Sequence, residues 1–436
     1  MKKIIKKAFL ESILVSLLFI LIYQFYNLEF IRENIEDIAF DVVNKFAIEK
    51  EETKIDKPNI LIFGVDDNYM RANKLYDEYN NSTYGYFFPR DKIANFIEKV
   101  DEFIKEAEPQ NRPKALFIDY DLSFTSMPYG KELSNEDKQL LDVLKKPRDY
   151  IIFLPKISTY NFVQYSKDKT IQALIKKRKI IFISVDLKQS NDGVTRRYSA
   201  YESYIEPNDK NVTYISINVA LYRLLKNGKL ILDINKSLKK EDIVANRILI
   251  KSYKDAIIDN NCSTYKSYWS NLVKYSANCN IFSIPEEDFA NSIIMFGGTH
   301  SHNDDKFETL DVLSSDTFTG IEMHANAINT MLYLDGQLKK IPLWLGVLIV
   351  FVIFFTLSIF VSYIFDITKI NNNSLEFIVV LVINLIILIA ISILLLKHYH
   401  IWFNWFVPLI LFEATEGIDF IKDNLPKVVD KIRKRN

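Results

Sequence analysis

Apolar residues in this chain gather in long runs near its two ends and in short runs between them. Residues 12–23 (SILVSLLFILIY) are apolar but for two serines, residues 341–365 carry no charge, and residues 377–396 break an aliphatic run only with Asn384 and Ser392. The last two runs are each long enough to cross about 30 Å of hydrocarbon as a helix. A third C-terminal stretch, 401–412 (IWFNWFVPLILF), is shorter and contains Asn404 and Pro408. It is assigned as a third span, with a re-entrant or interfacial segment as the alternative.

The N-terminal run follows Lys2, Lys3, Lys6 and Lys7 and passes into Gln24-Phe25-Tyr26 without a small-residue cleavage site. Ile31, Ile35, Ile38, Val42 and Phe46 then recur at helical spacing. The pattern predicts an uncleaved anchor that continues as a stalk. Lys427, Lys431, Arg433, Lys434 and Arg435 crowd the other end. With both basic ends in the cytoplasm, the intervening chain lies outside. The expected division is 1–27 as cytoplasmic lysines and anchor, 28–340 as an extracytoplasmic domain, 341–412 as three membrane helices and 413–436 as a short basic tail.

Within the outer domain, residues 59–65 (NILIFGV) form a continuous apolar run, as a strand buried on both faces should. A helical pattern follows over 91–103. The alternation continues with strands at 115–118, 150–154, 179–185, 247–250 and 292–296, and helices at 137–144, 216–225 and 321–334. This predicts an α/β domain with a mostly parallel sheet flanked by helices. Residues 228–286 are poorly patterned and are read as an insertion or an antiparallel edge.

Composition narrows the function. The chain is 49% hydrophobic and 14% aromatic, with 55 basic and 55 acidic residues. It has no global basic field to gather nucleic acid. Neither G-x-x-x-x-G-K-[ST] nor G-x-G-x-x-G occurs, so a glycine loop for nucleotides is not expected, and no cofactor is assigned. Cys262 and Cys279, the only cysteines, both fall in the proposed outer domain. They are expected to pair, because oxidising compartments permit disulfides.

Ligands of open parallel sheets bind outside the carboxyl ends of the strands. Three predicted strands end in Asp66-Asp67, Asp119-Tyr120-Asp121 and Gly297-Gly298-Thr299-His300. Each aspartate could instead cap a helix or close a turn. Arg90, after Pro89 at a helix start, could hold an anion there, but pairing with a strand-end aspartate is favoured. The aromatic loop Tyr84, Tyr86, Phe87 and Phe88 suits either a ligand lid or the core.

Residues 294–305 (IMFGGTHSHNDD) set His300 and His302 beside Asp304 and Asp305. They could form a metal site with Asp66 or Asp119, a turn opened by the double glycine, or one wall of a polar pocket. The favoured reading is the pocket: Gly297 to His300 with Asp66 and Asp119, and no catalytic metal.

The order of residues 59–67, Phe88-Pro89-Arg90, residues 117–121, Asp192-Gly193-Val194-Thr195-Arg196-Arg197, residues 294–299 and Gly320-Ile321-Glu322-Met323-His324-Ala325 resembles the CHASE domain of the second type. That family comprises extracytoplasmic sensory domains associated with bacterial cyclases and histidine kinases, and three membrane helices commonly follow. The resemblance implies an α/β sensory module over roughly residues 30–340. Asp66, Arg90, Asp119 and Arg196 or Arg197 match its polar positions, and the Gly320 to Ala325 match places His324 at a helix start. The candidate ligand-binding set is therefore Asp66, Asp67, Arg90, Asp119, Asp121, Arg196, Thr299, His300 and His324.

No kinase or cyclase segment is read after residue 412. The chain is expected to be a multi-pass protein of the bacterial inner membrane, with a periplasmic domain that binds a small-molecule or envelope ligand. It would signal through its membrane helices by self-association or to a separate partner. An extracytoplasmic metal-dependent hydrolase using His300, His302, Asp66 and Asp119, and a membrane scaffold without a ligand, are the alternatives.

Overall fold

The computed structural model describes residues 2–24, 36–52, 59–79, 81–84, 87–122, 126, 133–156, 168–190, 192–205, 210–234, 238–240, 242, 245–254, 257–259, 262–303, 305–309, 316–368 and 373–411. The chain divides into two units. The first comprises Met1–Ala47, Ile243–Ala245 and Leu338–Asn436, and the second Ile48–Asp242 and Asn246–Gln337. At the N-terminus, helix α1 (Lys2–Gln24) buries Ala8, Ser12, Val15 and Phe19 and exposes Leu10, Leu14, Leu17 and Leu21 along one stripe. Helix α2 (Asp37–Val43) runs into a π-helical turn, Asn44–Ile48. It buries Ala39, Phe40 and Val43, while Ile38 and Phe46 of the predicted stalk stripe are exposed. Ile31 and Ile35 lie outside the described residues.

The second unit is built on one eight-stranded sheet. Its strand β1 (Ile60–Val65) is buried at every position, which explains why its sequence lacks a polar alternation. Helices α3 (Asp67–Ala72) and α4 (Arg90–Glu106) lead to β2 (Ala115–Asp119). Helix α5 (Asn135–Leu144) starts at a capping box in which Ser134 and Asp137 satisfy each other's backbone N–H groups. There follow β3 (Ile151–Lys156), α6 (Lys169–Lys176), β4 (Ile180–Ser184) and two hairpins, β5 (Leu187–Gln189) with β6 (Thr195–Tyr198) and β7 (Tyr201–Ile205) with β8 (Asn211–Ile215). After α7 (Ile217–Asn227) come β9 (Ile257–Asp259), β10 (Cys262–Lys266), β11 (Leu272–Ser276) and β12 (Ile293–Gly298). A hairpin of β13 (Lys306–Thr309) and β14 (Asp316–Thr319) leads into α8 (Gly320–Tyr333).

The sheet order is β4-β3-β2-β12-β1-β11-β10-β9. The first six strands are parallel, and β10 and β9 add an antiparallel edge. Of the two expectations for 228–286, the antiparallel edge is what forms. Leu61, Phe63, Leu116, Ile118, Ile294 and Phe296 share one core with Ile93, Ile97 and Val100 of α4. Alternate residues point to the opposite face, where Phe117 meets the His324 ring of α8. The strand predicted at 247–250 is absent. Arg247 makes only an isolated bridge to Arg197, and the backbone of Leu249 and Lys251 bonds the side chains of Thr330 and Asn326 on α8 instead.

In the first unit, β15 (Lys339–Lys340) precedes α9 (Leu343–Thr368) and α10 (Asn373–Tyr399). Both contain an 18-residue stretch, Leu343–Phe360 and Val382–Tyr399, long and apolar enough to cross a membrane. The predicted helical span from residue 401 is not what forms. Ile401–Trp402 is a strand, β16, parallel to β15, and helix appears only at 406–411. Three hydrogen bonds hold the segment out of helix. The Trp402 indole and the Asn404 amide both donate to the buried Glu36 carboxylate, and Asn404 Oδ1 accepts from the N–H of Phe406 at 2.9 Å as a helix cap. The tail from 412 lies outside the described residues.

Candidate functional site

Four strand ends meet at the carboxyl edge of the sheet, and the glycines of β12 set their spacing. The double glycine, one reading of which is a turn, remains in the strand, and the turn comes later, at Ser301 and His302. A β-carbon on Gly297 would stand 2.9 Å from Asp119 Cβ and 2.9 Å from Ile321 Cδ1. One on Gly298 would stand 2.8 Å from the Asn303 amide, whose N–H donates to the Gly298 carbonyl. These glycines serve close approach by β2, α8 and the following loop. Thr299 then ties β12 to β1, its N–H donating to the Val65 carbonyl at 3.0 Å.

The two aspartates after β1 divide their work. Asp66 caps α3, accepting from the Tyr69 N–H at 2.8 Å, and also accepts from the Ser276 hydroxyl at the end of β11 at 2.9 Å. Asp67 accepts from the Tyr76 hydroxyl at 2.7 Å and from both the N–H and hydroxyl of Ser301 at 3.0 and 2.9 Å. Burial alone would raise its carboxyl; these donors and the neighbouring His300 outweigh that and hold it below the usual range. His300 is buried against Tyr76, with Nδ1 3.3 Å from the hydroxyl, whereas His302 is exposed and meets Ser301 Oγ at 2.9 Å. Burial and the hydrogen bond to Asp67 push the Tyr76 phenol up to about 12.

Asp119 has the opposite character. It pairs in register with Gly297, and its carboxyl is raised well above the usual range by loss of water and then by the Asp305 carboxylate. Asp305 is raised too, chiefly by desolvation, partly offset by the Gly320 N–H. It is an exposed residue, but its carboxyl is drawn over Gly320 at the start of α8. The sheet edge thus holds one acid fixed as carboxylate and another that retains its proton more readily, the contrast expected where polar ligands are held.

The remaining candidates lie in structural roles. Arg90 is fully buried; its guanidinium donates to the Asp121 carbonyl at 2.7 Å and stands 5.5 Å over the Phe87 ring. Phe88 stacks on Tyr120 at 4.4 Å within the core, and Tyr86 lies outside the described residues. Arg196 forks onto Asp192 at 3.0 and 2.8 Å across the β5–β6 turn. That turn is opened by Gly193 at φ +83°. His324 is buried on α8 with Nδ1 3.0 Å from Asn218 Oδ1, and desolvation lowers its pKa to about 3. It is a neutral core imidazole. Asp304 lies outside the described residues, as does the side chain of Cys262; Cys279 is buried and disulfide-bonded. Among the described residues, no three of His, Cys, Asp and Glu come together as a metal would require.

Sequence reasoning missed Tyr76, Ser276 and Ser301. Tyr76 and Ser276 carried no motif. Asp305 entered only as an alternative metal ligand, not as the acid that acts on the Asp119 carboxyl.

The mostly parallel central sheet flanked by helices defines an α/β domain. A family model described as the CHASE2 domain matches residues 14–361, and the chain belongs to that family of extracellular sensory domains. No curated protein and no solved structure matches the chain.

Proposed function

We propose that this chain is a membrane-anchored, multi-pass sensor of the inner membrane whose extracytoplasmic α/β domain binds a polar ligand at the carboxyl edge of its sheet. The observation that carries the reading is the desolvated Asp119–Asp305 pair beside Gly297 and Gly320, at the strand ends where open parallel sheets take ligands. Asp119 and Asp305 would share a proton or receive a donor group, while Asp67, held by Tyr76 and Ser301, fixes the loop that carries His300. Membrane anchoring is supported by α9, α10 and the exposed leucine stripe of α1. The chain passes directly from α8 through residues 334–342 into α9, so a ligand that shifts α8 has a short covalent route to a membrane helix and through it to a partner.

Native mass spectrometry of the full chain purified in mild detergent tests the ligand site. A co-purifying molecule retained by the unmodified protein and lost from folded Asp119→Asn and Asp67→Asn variants is the expected result. Retention undiminished in both variants would remove the strand-end site.

A further inference from the structure

The opposite, amino edge of the sheet carries a concavity. Residues entering β2, β3 and β4, with the end of α7 and Asn291, line a cavity of about 740 Å³. Five of its lining residues are cations, Arg112, Lys114, Lys177, Arg178 and Lys179, and one, Asp149, is an acid. In a chain of zero net charge this is a strong local bias, and a concave wall focuses it.

The internal bonds leave much of that charge unspent. Arg112 Nη1 is 3.7 Å from Asp149 and its Nε donates to the Ala107 carbonyl, while Lys179 Nζ donates to the Asp149 carbonyl at 3.1 Å. Lys114, Lys177 and Arg178 form no ion pair among the described residues. Arg178 also sits at φ +57°, just past the end of α6, where glycine is the residue that fits without strain.

We infer that this cavity binds a compact phosphorylated anion larger than inorganic phosphate, independently of the strand-end site. Lysine and arginine are the donors for phosphoryl oxygens, and the cavity exceeds what one inorganic phosphate fills. A soluble polyphosphorylated molecule and a phospholipid headgroup share this chemistry.

The test is calorimetric titration of the full chain in uncharged detergent at low salt, with tripolyphosphate in one arm and dihexanoyl phosphatidic acid in the other. Binding of either is expected to weaken about tenfold for each cation removed in Lys114→Gln and Arg178→Gly. Glycine takes the left-handed conformation freely, so weakened binding in Arg178→Gly does not arise from a lost fold. Tighter tripolyphosphate marks a soluble ligand; tighter phosphatidic acid marks a headgroup. Absence of binding in both arms, or equal affinity in the unmodified chain and the double variant, overturns the site.

Discussion

Gly297 and Asp119 face each other across the β12–β2 pair so closely that a β-carbon on the glycine would stand 2.9 Å from that of the aspartate. Ile321 Cδ1 closes the other side at the same distance. Gly297→Ala should therefore cost about 1–3 kcal/mol through overpacking. Thermal unfolding followed by tryptophan fluorescence would measure it. A Tm equal to that of the unmodified protein would show that the edge has room to spare.

The raised Asp119 carboxyl gives stability a pH dependence of known sign. The folded state binds the proton more tightly than the unfolded state, so stability is lost as pH rises from the ordinary carboxylate range through the raised value. In Asp119→Asn this loss should vanish, and the Tm difference between variant and unmodified protein should widen across that window. A constant difference would mean that Asp119 titrates as it does in water.

His324 acts in the reverse direction. Its imidazole stays neutral down to about 3, so below pH 6.5 the unfolded chain gains a proton that the folded chain does not. Stability should fall by about 1.4 kcal/mol per pH unit from this group alone as the solution is acidified. His324→Gln should flatten the Tm profile between pH 6 and 4, and an unchanged slope would place the acid sensitivity elsewhere.

The topology can be tested chemically. Maleimide added from outside should label Asn191→Cys and fail at Lys427→Cys, because lysines precede α1 and basic residues fill the tail. Labelling of Lys427→Cys in sealed cells would reverse the assignment of sides.

Cys279 is disulfide-bonded, and Cys262 is the chain's only other cysteine. Non-reducing mass analysis of protein from its native membrane should find the two joined. Replacing both by serine should cost about 3 kcal/mol under the chain-entropy account. Recovery of two free thiols would sink the pairing.

The parallel core was legible because strands buried on both faces must be apolar throughout, as β1 is, and because α4 repeats its apolar positions at helical spacing. The strand ends Asp66, Asp119 and Gly297 were legible for the same reason, since they mark where those runs stop. What the sequence did not carry was long-range pairing. Nothing local in residues 401–405 announces that Glu36 will capture Trp402 and Asn404. The double glycine looked like a turn because local chemistry favours one; neighbours pressing from β2 and α8 decided otherwise.

Strand β12 lies between β1 and β2, yet it comes at residues 293–298, long after both. During synthesis β1 and β2 cannot reach their final spacing until that strand emerges, on the order of ten seconds or more later at about 5–20 residues per second. The two apolar strands wait with a missing partner between them. Until residue 298 is made, the edges of both strands stay open to pairing with other chains, so slowing synthesis across residues 119–298 should lower the yield of folded domain.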